Sequence, residues 1–342
     1  MDRWKTDLVR WNMKIITIEE HLAGAPINEY LAKYTAEDAP YTAMAHGKGR
    51  PYDADPELFG DLDKCRIEDM DKHGIHMQIL SCPAKSQLLP ANEAAAIVRE
   101  TNDYIAQAAK KHPDRYGAFA LLPWSSPEEA AKEAERAKTM GFQGILLAGR
   151  ASAGNEFLDD KQFLPVLEAC EAFELPIYVH PGAPLKAVQE PYYGGLGDEV
   201  SARLSLHGWG WHNEAGIQVL RTILAGRFDQ FPKLQLIAGH WGEMLPFFLS
   251  RLDQSMPQSV TKLERTVTET FKQNVYITPS GIFDYPQLKF CVEVVGADRI
   301  IHSVDCPFIS NEGAKPFIEN APISNAEKEM IAYKNAERLF RL

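Results

Sequence analysis

Apolar and polar positions along this chain follow two alternating rhythms. Short runs rich in apolar and β-branched residues recur eight times, at residues 15–21, 75–83, 116–123, 142–149, 176–182, 234–242, 275–281 and 299–308. Several, such as FALLP, GILLAG and LQLIAG, are almost continuously apolar, as expected for strands buried on both faces of a parallel sheet. Amphipathic stretches at helical spacing lie between them. One is NEAAAIVRETNDYIAQAAKK, from Asn92; another is SPEEAAKEAERAKTMG, with Ser126 as N-cap, acids in the first turn and Gly141 as terminator. Strand–helix alternation repeated eight times predicts an α/β fold, a single (β/α)8 TIM barrel in place of two doubly wound halves. The barrel takes in residues 13–342, and residues 1–12 read as an N-terminal extension.

Two connections are too long to be simple turns. Residues 22–60, rich in Tyr, Pro and Gly, follow the first strand, and residues 183–212, with QEPYYGGLGDE and HGWGWH, follow the fifth. Long structureless connections of this kind are usually lids or binding loops. Both follow strands, which places them at the C-terminal face where barrel enzymes build their active sites. Their aromatic residues Tyr192, Tyr193, Trp209 and Trp211 are suited to enclosing a flat ring and excluding water.

Composition narrows the partners. Apolar residues make up 45% of the 342 and charged ones 24%, so a sizeable core is expected and disorder is not. With 36 basic against 47 acidic side chains the net charge is −11, a field that repels phosphate backbones and anionic lipid. Nucleic acid and membrane are therefore set aside as partners. Cys65, Cys82, Cys170, Cys291 and Cys306 are odd in number, scattered and without a CxxC pair, which fits a reducing cytoplasm better than a disulfide framework or zinc ribbon. The N-terminus has no apolar signal core, and no run approaches 18 apolar residues, so a cytoplasmic location is expected.

Candidate chemistry gathers at strand ends. The first strand closes on Glu19-Glu20-His21; residues two apart share a face, with Cα atoms ~6.6 Å apart, so Glu19 and His21 can converge on one cation while Glu20 points away. Taken singly, the pair is also compatible with a solvated strand end. His180 ends the fifth strand, His240 the sixth with Glu243 three residues on, and Asp305 the eighth, where it could also cap a turn. Barrel closure brings all of these ends around one mouth.

ExH on strand 1, HPG on strand 5, GHxGExLPF on strand 6 and VDCPF on strand 8 resemble the amidohydrolase superfamily. More narrowly they resemble the branch containing aminocarboxymuconate-semialdehyde decarboxylase and the dihydroxybenzoate and γ-resorcylate decarboxylases. The resemblance runs from Ile15 to the C-terminus. It implies Glu19, His21, His180 and Asp305 as ligands of a divalent ion, Zn²⁺ or Mn²⁺, and His240 as the catalytic histidine, supported by Glu243. No lysine ends strand 4, so the carboxylated lysine that bridges two metals in dinuclear members has no counterpart, and one ion is implied. Ala148 stands near where several resorcylate-type enzymes carry asparagine, and Cys306 where an aromatic residue is common. Cys306 reads as a small buried side chain in preference to a catalytic thiol.

Arg251 resembles an arginine associated with substrate carboxylate or with a subunit contact in this branch, and a surface salt bridge is an equal reading. Trp211 is taken as substrate-binding; His207, Trp209 and His212 beside it form either a substrate-facing wall or helix packing. His46, His73, His76 and His112 carry no motif. The expected reaction is non-oxidative decarboxylation of a hydroxybenzoate-like or unsaturated carboxylic acid, with Asp305 or His240 as the acid. The alternative in the same pocket is hydrolysis of an amide or lactone. Members of the branch are usually homodimers or homotetramers.

Overall fold

The computed structural model describes residues 13–23, 25–41 and 54–342; the expected extension 1–12 and His46 lie outside the described residues. Seven of the apolar runs form strands: β1 Ile16–His21, β2 Met77–Ser81, β3 Tyr116–Ala120, β4 Gly144–Ala148, β5 Ile177–His180, β6 Leu236–Ala238 and β7 Val275–Ile277. All pair parallel, in sequence order, in one sheet. Strands β3, β4, β6 and β7 are buried at every residue, which is why they read as unbroken apolar runs and not as an alternation.

The helices Ala91–Lys111 and Pro127–Met140 lie where the periodicity places them. Gly141 ends the second with φ of 93°, a left-handed cap. Ser126 occupies the N-cap position without a side-chain bond, and Pro127 sets the first turn by its fixed φ.

The eighth expected strand does not form. Residues 299–308 touch each edge of the sheet by a single parallel bridge, Ile300 to Ile277 of β7 and Ser303 to Ile18 of β1. The Ile301 amide reaches the Ile277 carbonyl of β7 at 2.9 Å, but the His302 amide bonds the Ile331 carbonyl at 3.0 Å, and the Val304 and Cys306 amides bond the Glu20 carboxylate at 3.0 and 3.2 Å. Asp305 then turns the chain with φ of 68°. A segment whose amides serve a side chain and a distant carbonyl cannot extend a ladder.

The two long connections are not structureless. The first carries helices Ile27–Asp38 and Pro56–Gly60, the second helices Lys186–Tyr193 and Asp198–Ser205. Among the described residues no helix is long and apolar enough to cross a membrane.

Candidate active site

Glu19 and His21 do converge, by a different route from regular alternation. The β1–β2 register pairs Ile18 with Ile79 and Glu20 with Leu80, so Glu19 is an extra residue, a bulge with φ of 71°. The bulge re-aims its carboxylate. Glu20 points away, as the alternation predicts, into a buried net with Gln78 and the backbone of residues 304 and 306. Burial pushes its carboxyl up to about 8 against the pull of Arg66 and those amides. Arg66 itself is fully buried and bonds the carbonyls of Leu58 and His21, Gln78 and the Cys306 sulfur. The Cys306 thiol is thereby locked, and burial raises it to about 12, which fits the structural reading.

Glu19, His21, His180 and Asp305 come together with one ligand atom each, all within 4.8 Å of one another. The outward nitrogen of each ring is set from behind: His21 Nδ1 meets Ser81 Oγ at 2.9 Å, and His180 Nδ1 meets the Pro181 carbonyl at 2.8 Å, leaving both Nε2 atoms to face inward. Ser280 Oγ donates to Glu19 Oε2. The inward atoms are orphans: Glu19 Oε1, His21 Nε2 and Asp305 Oδ1 are buried without a hydrogen bond. His21 Nε2 and Asp305 Oδ1 lie 3.0 Å apart, yet not aligned to bond.

Electrostatics point the same way. Burial, then the neighbouring Asp305, push Glu19 well above the usual carboxylate range, and burial pushes Asp305 to about 7. Burial, then Arg66, push His21 down to about 3, and burial holds His180 well below the ordinary imidazole value. Two carboxyls short of a counter-charge beside two neutral imidazoles form a buried group able to hold a divalent cation.

Beside it stands a second histidine–carboxylate group, on a turn of unusual hand. After β6 the chain runs through positive φ at His240 (47°), Trp241 (60°), Gly242 (79°), Glu243 (51°) and Met244 (67°). Trp241 anchors the turn through its amide to the Thr278 carbonyl at 2.7 Å and its indole to the Ile282 carbonyl at 2.9 Å. The amide of His240 bonds Ser280 Oγ at 2.9 Å. Glu243, 2% exposed, bonds His240 Nδ1 through Oε1 and His212 Nδ1 through Oε2, each at 2.9 Å. Burial works against its charge, but His240 and His212 outweigh this and hold its carboxyl low.

Both groups open on a cavity of about 460 Å³ lined by His180, Asp305, His212, His240, Trp211 and Phe308, among others. Trp211 is thus in the cavity wall. Trp209 and Tyr192 are 49% and 67% exposed and Tyr193 is buried, and none of these three lines it. Arg251 lies outside the cavity, exposed on the helix Leu245–Ser255, and bonds Gln254 at 3.1 Å. His73 pairs with Asp69, His112 with Asp63, and His76 accepts from the Ile15 amide. Ser81, Ser280 and Arg66 went unread in the sequence. Ser81 and Ser280 carry a signal: they lie at the ends of the second and seventh runs, as the other polar residues end theirs.

A sequence profile of the amidohydrolase family matches residues 32–342. The γ-resorcylate decarboxylase of a Polaromonas species is 35% identical over 295 residues, spanning 82% of this chain and 88% of that protein. The 5-carboxyvanillate decarboxylase of Sphingomonas paucimobilis superposes with a TM-score of 0.85 at 30% identity, covering 96% of this chain and 99% of the other. A Polaromonas dihydroxybenzoic acid decarboxylase, solved with manganese and the inhibitor 2-nitroresorcinol, gives 0.82 at 32% identity, covering 96% and 97%. A match over most of the chain, with relatives of this similarity and coverage, places the chain in the amidohydrolase family.

Proposed function

We propose that this protein is a metal-dependent, non-oxidative decarboxylase of a hydroxybenzoate-like acid, using Glu19, His21, His180 and Asp305 to hold one ion. The observation that carries this reading is the set of orphaned, inward-facing ligand atoms at the cavity wall. Two carboxylates and two imidazoles suit Mn²⁺, the ion bound in the Polaromonas neighbour. When bound, the ion supplies positive charge that orients the substrate's carboxylate and an adjacent oxygen and stabilises negative charge developing on the ring.

The chain's own residues do the rest. Asp305, whose side chain keeps 19% of its surface open, is the proposed acid at the ring carbon that bears the carboxylate. The C–C bond breaks, CO₂ leaves, and the electron pair stays to form the new C–H bond with that proton; nothing is oxidised or reduced. His240, its Nδ1 tied to Glu243, has Nε2 free to hold the proton of a ring hydroxyl. Trp211, Leu206 and Phe308 line the cavity with apolar surface and keep water from the charged ring. The relatives favour this reaction over hydrolysis of an amide or lactone.

The same reading takes residues 13–342 as one barrel, with 299–308 filling the eighth position through its two bridges. It takes the protein as cytoplasmic, in keeping with five free cysteines, and as a homodimer or homotetramer. Phe247 and Phe248, 70% and 51% exposed on the helix that carries Arg251, support a subunit contact there. Arg251 then lies at that contact and outside the cavity of its own copy.

The deciding experiment offers the Mn²⁺-loaded protein a panel of mono- and dihydroxybenzoates in D₂O. Release of CO₂ with one deuterium at the vacated ring carbon is expected. Turnover of an amide or lactone with no CO₂ from any acid would overturn the reading.

A further inference from the structure

We propose that His212 is a positioning residue for His240, acting through the carboxylate of Glu243 that the two imidazoles share. The inference rests on the reading that His240 works on the substrate. A buried carboxylate held at one oxygen can still swing about its last bond; Glu243 is held at both, with His240 on Oε1 and His212 on Oε2, each at 2.9 Å. The two rings stand 4.3 Å apart at 61°. Fixing the carboxylate plane fixes the direction in which His240 presents Nε2 to the cavity.

The far side of His212 is set as well. Its Nε2 lies 3.0 Å from both the His207 carbonyl and the Trp211 indole N–H, which donates to it, so the ring is held on both sides. Burial opposes the charge, but Glu243 outweighs it and raises the group. His212 thereby fixes the carboxylate that orients His240.

A second observation shows that the approach is built in. His212 lies in the first turn of the helix Gly210–Leu224, and Gly216, four residues on and on the same face, packs against the Glu243 carbonyl. A Cβ at Gly216 would sit 2.7 Å from that oxygen. The absent side chain lets the helix come close enough for His212 to reach Glu243.

The test compares His212→Ala and His212→Asn with the native Mn²⁺-loaded enzyme. Metal content, kcat and KM are measured, together with the ¹⁵N signals of the His240 ring with diamagnetic Zn²⁺ in place of Mn²⁺. His212→Ala should lower kcat about 10–100-fold with metal and KM retained, as removal of a supporting partner does. Asparagine returns a donor at the place of Nδ1 and should recover most of kcat. In both variants the ¹⁵N signals of the His240 ring should move, further for alanine than for asparagine, because Glu243 has lost His212 from its second oxygen. Unchanged kcat and ¹⁵N signals overturn the proposal; so does a rise in KM alone, which marks a wall residue, and so does loss of metal in step with activity. Should His212→Ala not fold, unchanged His240 ¹⁵N signals in His212→Asn overturn it. The ¹⁵N signals need no turnover, so inactivity of the native protein on every acid would sink the decarboxylase reading and leave this one standing.

Discussion

Two histidine–carboxylate groups share the cavity wall, and they differ in how their polar atoms are satisfied. In the group of Glu19, His21, His180 and Asp305, three buried atoms face inward with no hydrogen bond. In the group of His212, Glu243 and His240, both carboxylate oxygens are bonded. An unsatisfied buried polar atom costs about 1–3 kcal/mol, so a cluster of them is tolerated where a ligand completes it. A completed network has no such need, and what it can still exchange is a proton. The same residue types thus serve two purposes, distinguished by bonding and not by composition.

The sharpest way to break this contrast is His21→Ala. It removes an inward-facing nitrogen and should abolish metal binding and turnover together, by more than the roughly 100-fold ceiling of a supporting residue. Metal analysis and CO₂ release on the same sample read both; an active, fully loaded variant would end the assignment. His240→Asn should do the opposite, keeping the ion while losing about 10²–10⁴ in rate, the usual contribution of proton transfer. Parallel loss of the ion would make His240 a ligand.

Ser280 touches both groups, donating to Glu19 and accepting from the His240 amide. Ser280→Ala should weaken metal binding by about 10–100-fold, seen as a higher Mn²⁺ concentration at half-maximal activity, and should lower rate at saturating metal as well. An effect on one measure alone would show that the groups are independent.

The smallest effect sets the pH window for these tests. His302, fully buried outside both groups with Nε2 on the Ala314 carbonyl, is lowered by burial to about 4. Its folded-state value lies below the unfolded one, so its contribution is intact above about 6.5 and is lost as pH falls toward 4, with a slope of at most ~1.4 kcal/mol per pH unit. Denaturant melts between pH 7 and 5 should show that slope, and His302→Gln should flatten it.

Much of this was legible in the residues. Apolar runs mark most of the strands because a strand buried on both faces is largely apolar; β1, equally buried, keeps Thr17, Glu19, Glu20 and His21. The eighth run was equally apolar in part, but the bonds of its amides to Glu20 and Ile331 join residues far apart in sequence. Glu19 and His21 were paired by a rule of alternation, whereas a bulge does the pairing; pattern alone does not show an extra residue. His212 stood in HGWGWH with two readings open, since its partner lies 31 residues on and the closeness depends on how a helix docks. The aromatic wall was overdrawn because residue type cannot say that Tyr192 and Trp209 face outward while Trp211 faces in.

The turn after β6 has a further consequence, for transplantation. Four non-glycine residues there, His240, Trp241, Glu243 and Met244, lie in mirror-image backbone at a cost of about 1–2 kcal/mol each. An ordinary right-handed turn grown from the end of β6 would carry residues 240 and 243 along a different arc and separate ring from carboxylate. Copying the two side chains onto another scaffold would therefore not reproduce the pair. The portable unit is the whole reversal from Ala238 to Leu245, together with the Thr278 and Ile282 carbonyls that hold Trp241.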